Sequence, residues 1–85
     1  MRFTIEQRHL TDNSGKPVRN ERAVSFHDFE AENAEEAVHL FVKKQEGEIL
    51  GEVLKFPGFQ AVATLRSGTG VYTLQVTPSS QQFAR

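Results

Sequence analysis

Eighty-five residues, 38% of them hydrophobic and 25% charged, describe one small globular domain, and a chain of this size buries about 60–65% of the surface it exposes when unfolded, so it has a single modest core. The absence of cysteine excludes disulfides and thiolate metal sites and gives no reason to place the chain in an oxidising compartment. A net charge of −1 supplies no long-range field for nucleic acid or anionic lipid, and charge within the first six residues, with no apolar run of spanning length, disfavours a signal peptide or a membrane segment and makes the cytoplasm the default location.

Residues 2–9 alternate Phe3 and Ile5 with Arg2, Thr4, Glu6 and Arg8, the pattern of a strand with one wet face. From Thr11 to Pro17 the chain concentrates turn formers, and its polar character persists through Arg22, which predicts a long, mobile loop. Residues 23–31 read as a second strand whose pattern breaks: Val24 and Phe26 share one face, whereas Phe29 and Ala31 fall on the other. A bulge near His27-Asp28, or burial on both faces, would reconcile them.

The strongest local signal follows. Asn33 can accept a hydrogen bond from a first-turn amide while Glu36 reaches back to the Asn33 amide, a capping box. Behind it Ala34, Ala37, Val38 and Phe41 recur at the helical period. With Leu40 and Val42 the apolar arc spans about 200°, which predicts cover on more than one side. Acids early and Lys43 and Lys44 late suit the helix dipole, and Gly47 is the expected stop.

Residues 48–55 fit a short second helical segment through Ile49, Leu50, Val53 and Leu54, although 52–56 could also pair as a strand; the helical reading is preferred. Pro57-Gly58 breaks the chain, residues 59–66 alternate as a strand, and Ser67 to Gly70 turn into a last strand at 71–77. Residues 79–85 form a polar tail outside the domain, which occupies 1–78.

The expected fold is α+β: an antiparallel four-stranded sheet with one main helix across one face, in β-β-α-β-β order. Ala61 and Ala63 permit close approach of the helix. Val24, Phe26, Val62 and Val71 are assigned to the opposite face, with Thr4, Thr64 and Thr73 between them. One helix covers one face only, so a second copy is the simplest cover and a homodimer is expected.

Chemical signatures are weak. Glu36 and His39 have the Glu-x-x-His spacing of carboxylate-bridged metal sites, but no second such pair exists and both fall on the polar helix face. His9 and His27 lie in adjacent strands and would form a polar site with Tyr72 only in one register. Cysteine is absent, no serine has a nucleophile-elbow context, and Gly68-Thr69-Gly70 precedes a strand rather than a helix, so no phosphate faces a helix N-terminus. No catalytic, metal or cofactor site is assigned. Lys16, Arg19 and Arg22 make the first loop locally basic, a candidate partner contact. These features point to a non-enzymatic protein-interaction module, homodimeric through its sheet. The alternatives are a nucleic-acid-associated module using Arg2, Arg8, Lys16, Arg19 and Arg22, and a small-molecule binder or enzyme with a pocket between subunits.

Overall fold

A computed structural model of the chain describes residues 1–18 and 24–79. The elements run β1 (Arg2–Thr11), β2 (Val24–Glu30), α1 (Ala34–Lys44), β3 (Glu48–Phe56), β4 (Gln60–Ser67) and β5 (Gly70–Pro78). The class is α+β as expected, but the sheet has five antiparallel strands rather than four, in the order β2-β1-β5-β4-β3.

The additional strand is β3, where a short helix was expected. Ile49 and Val53 pack against the core, while Leu50 and Leu54 pair with Thr64 and Val62 on the other side of the sheet. A spacing of four residues is one helical turn, and being even it also returns to the same face of a strand. Pairing with β4 decides between the two, and Gly51 accommodates it. At φ +76° this glycine starts a bulge between Leu50 and Leu54, a backbone that no α-helix contains.

Strand β2 needs no bulge. Its pairing with β1 is continuous from Arg2 with Glu30 to Arg8 with Val24, so its two apolar sets lie on opposite faces. Phe29 meets the Phe41 ring edge-on at 5.6 Å, whereas Phe26 remains 66% exposed.

Asn33 caps α1, accepting from the Glu36 amide at 2.8 Å. The Glu36 carboxylate reaches past Asn33 and accepts from the Glu32 amide at 2.7 Å, one residue beyond the expected partner. The other end closes before Gly47. The Glu46 amide donates to Lys43 and the Gly47 amide to Val42, each at 3.1 Å, with Glu46 in the left-handed region at φ 55°. That pair of bonds is a Schellman motif.

The core lies between α1 and one sheet face. Phe3, Ile5, Ala61, Leu65, Leu74 and Val76 are fully buried against Ala37, Val38 and Phe41. The buried helix positions, from Ala37 to Val42, span an arc of about 140° at 100° per residue, and Leu40, assigned to the apolar arc from sequence, is exposed. Among the described residues α1 is therefore covered on one side only. No helix among them is long and apolar enough to cross a membrane.

The loop after β1 is tied down through Val18. Leu10 accepts from the Val18 amide at 2.8 Å, Thr11 bridges Pro17, and the Asp12 carboxylate accepts from the Ser14 hydroxyl and from the Ser14 and Lys16 amides. Those bonds, the Ser14 hydroxyl first, hold the Asp12 pKa below the ordinary carboxylate value. Ser79, expected to begin the polar tail, is instead buried beside Thr4 and belongs to the domain; Arg19 and Arg22 of the basic loop, and residues 80–85 of the expected tail, lie outside the described residues.

Candidate interaction surface

Strand pairing sorts every described sheet residue onto one of two faces. On the face away from α1, one cross-strand row reads Phe26, Glu6, Gln75, Val62 and Leu54. The next reads Val24, Arg8, Thr73, Thr64 and Leu50, and beyond it Val71 pairs with Arg66 and Arg66 with Glu48. The four residues expected on this face, Val24, Phe26, Val62 and Val71, all occupy it. Leu50 and Leu54 join them, two positions the helical reading of 48–55 had removed from the sheet.

The apolar residues concentrate at the edges of the face, with Phe26 66% and Leu54 55% exposed. Its middle is polar but self-satisfied. Arg8 Nη2 donates to Glu6 Oε2 at 3.0 Å, Arg66 Nε donates to Glu48 Oε1 at 3.1 Å, and Arg2 lies 3.8 Å from Glu30. Thr4, only 6% exposed, donates to the Asp28 carboxylate at 3.0 Å and lies 2.7 Å from the Ser79 hydroxyl. Each of the three arginines on this face therefore has an acidic neighbour on the same face, and the surface presents little net charge.

The three residues of the expected polar site divide into two places. His9 stacks on Tyr72 with ring centres 4.2 Å apart, and its Nε2 lies 3.1 Å from the Thr69 carbonyl; the Tyr72 hydroxyl is 2.6 Å from Thr69 Oγ1. His27 is paired with Ile5, not with His9. Its ring meets Phe41 at 4.8 Å, and its Nε2 lies 3.0 Å from Ser25 Oγ and 3.2 Å from Gln7 Oε1. Burial, and then the charge of Lys44, push the His27 pKa below its ordinary value. The two histidines thus serve separate networks, both on the helix side of the sheet.

Glu36 and His39 are not brought together. The Glu36 carboxylate closes the helix start, and His39 faces Glu35 at 3.9 Å. No group of three or more metal-ligating side chains occurs among the described residues. Lys16 is exposed on the tied loop.

A second surface feature escaped the sequence reading. Between the start of α1 and the Pro57-Gly58-Phe59 turn lies an open cleft of about 450 Å³ with Phe56 and Phe59 at its rim, 49% and 59% exposed. Its two charged residues satisfy each other, Lys55 Nζ lying 3.2 Å from Glu35 Oε1, and Asn33 is committed to the helix cap. The cleft thus offers apolar area without converging polar groups.

Searches against family models, curated proteins and solved structures found no match.

Proposed function

We propose that this protein is a non-enzymatic protein-interaction module that forms a homodimer through the helix-free face of its sheet. The observation that carries the reading is the set of apolar side chains, Val24, Phe26, Leu50, Leu54, Val62 and Val71, with Phe56 in the same strand register, on the face that α1 leaves uncovered. Interface cores are more apolar than the surrounding surface and enriched in aromatic residues. Phe26 and the aliphatic groups here flank a polar middle whose arginines are paired with neighbouring glutamates, so a partner covers apolar area while desolvating little unpaired charge. The same pairing counts against the nucleic-acid alternative: Arg2 and Arg8, which it requires, already have carboxylate partners, and phosphate would have to displace them.

Sedimentation velocity at tens of micromolar tests the proposal. The expected species has twice the 9.6 kDa chain mass. Phe26→Glu combined with Leu54→Glu should convert it to monomer with an unchanged circular dichroism spectrum, since both side chains are largely exposed within one subunit. A wild-type chain that sediments as a monomer throughout this range overturns the proposal.

A further inference from the structure

Resting on the homodimer reading, we infer that the two sheets stack face to face about a twofold axis that runs across the strands at the level of Gln7 and Leu74, setting Glu6 of each copy opposite Arg8 of the other. Five strands spaced about 4.8 Å apart, with about 3.3 Å per residue along them, present a face on the order of 600 Å². That approaches the roughly 800 Å² per partner typical of a stable interface. A second copy is therefore a partner of adequate size.

The Glu6–Arg8 pair selects among the symmetric arrangements. It sits on β1 near the middle of the face, with Arg8 Nη2 donating to Glu6 Oε2 at 3.0 Å, and any face-to-face partner removes water from it. Desolvating an ion pair is costly unless new partners replace the water. A twofold axis parallel to β5, the central strand, would place Glu6 beneath the other copy's Val62 and Arg8 beneath its Thr64, with no replacement. An axis across the strands through the Gln75 row would set Glu6 against Glu6, and one through the Thr73 row Arg8 against Arg8, both repulsive. Only the axis between those rows sets opposite charges face to face, closing a ring of four alternating charges.

Within the two rows that flank that axis, the remaining matches are favourable. Phe26 falls over Val24 of the other copy, Leu54 over Leu50, Gln75 over Thr73, and Val62 over Thr64. The apolar edges thus cover apolar edges, and the neutral polar middle meets its own kind. Each match follows from the strand register, in which the Glu6 and Arg8 rows are neighbours on this face.

The chain has no cysteine, so single cysteines report the arrangement directly through a bismaleimide that bridges sheets packed about 10 Å apart. Phe26→Cys alone should cross-link to itself, and Leu54→Cys alone likewise. Mixing the two variants should give no mixed product, because β2 and β3 lie at opposite edges, about 19 Å apart. Val24→Cys and Leu50→Cys repeat the test one row along. Charge reversal probes the level of the axis: Glu6→Arg and Arg8→Glu should each raise the dimer dissociation constant roughly tenfold or more, and mixing the two variants should restore dimer.

A wild-type dimer in which Phe26→Cys links only to Leu54→Cys overturns the inference and leaves the homodimer reading standing, as does a dimer indifferent to both charge reversals. A monomer, or a dimer in which no cysteine on this face cross-links, overturns both.

Discussion

At Glu46 the chain takes the left-handed backbone that ends α1, φ 55°, with a side chain that disfavours it. The Schellman bonds to Lys43 and Val42 hold it there. Because left-handed backbone costs an L-residue roughly 1–2 kcal/mol that glycine does not incur, Glu46→Gly should raise stability. Greater freedom of glycine in the unfolded chain offsets part of the gain, leaving about 0.5–1 kcal/mol, read as a higher urea midpoint at unchanged slope. His27 supplies a pH signature of its own. Its folded pKa lies below the ordinary value of 6.5 through burial and the nearby Lys44 charge, so between those two values the unfolded chain binds more protons. Stability should be full above about pH 6.5, fall as pH drops through that value, and level off once the folded imidazole is also protonated. Urea midpoints measured from pH 7.5 to 5 should show that decline, and His27→Gln should flatten it.

Among the elements, α1 was legible because its signals agree: a capping residue, an apolar stripe and terminal charges all specify one helix. Strand β3 was not, because Ile49, Leu50, Val53 and Leu54 satisfy both periods, and what decides between them is the pairing with β4, a long-range property absent from a local window. Two glycines, Gly47 just before this strand and Gly51 within it, separate conformational from steric demands. Gly51 needs φ +76° but a Cβ there would meet nothing within 4 Å, so Gly51→Ala should cost about 1–2 kcal/mol of backbone strain. At Gly47 a Cβ would press on Leu65 Cδ1 and come within 2.6 Å of the Arg66 carbonyl oxygen. That oxygen belongs to the sheet and cannot yield, so Gly47→Ala should cost more, about 2–3 kcal/mol; the order of the two midpoints in chemical denaturation checks the assignment. The same distinction between local and long-range information runs through the site. Alternation alone placed Val24, Phe26, Val62 and Val71 on one face, whereas the separation of His9 from His27 required the Ile5–His27 register.

Across the whole molecule, the fold divides its apolar residues between two jobs. One sheet face and α1 enclose a core without an unsatisfied buried side-chain polar atom among the described residues, and the other face carries aliphatic and aromatic groups that a lone subunit leaves in water. Burial of apolar area is worth about 25 cal/mol per Å² before the entropy of association is subtracted, so covering that face adds to the stability of a core that is modest at this chain length. If folding and assembly are linked in this way, thermal stability depends on protein concentration, because mass action favours the folded dimer over two unfolded chains. A hundredfold increase in concentration should add about 2.7 kcal/mol per dimer, raising the melting temperature by several degrees. The dependence should vanish in Phe26→Glu/Leu54→Glu, whose subunit core is untouched but whose uncovered face repels its copy. A wild-type melting temperature that stays constant over that range would mean that the subunit holds its fold alone and that the apolar face contributes nothing to stability through self-association.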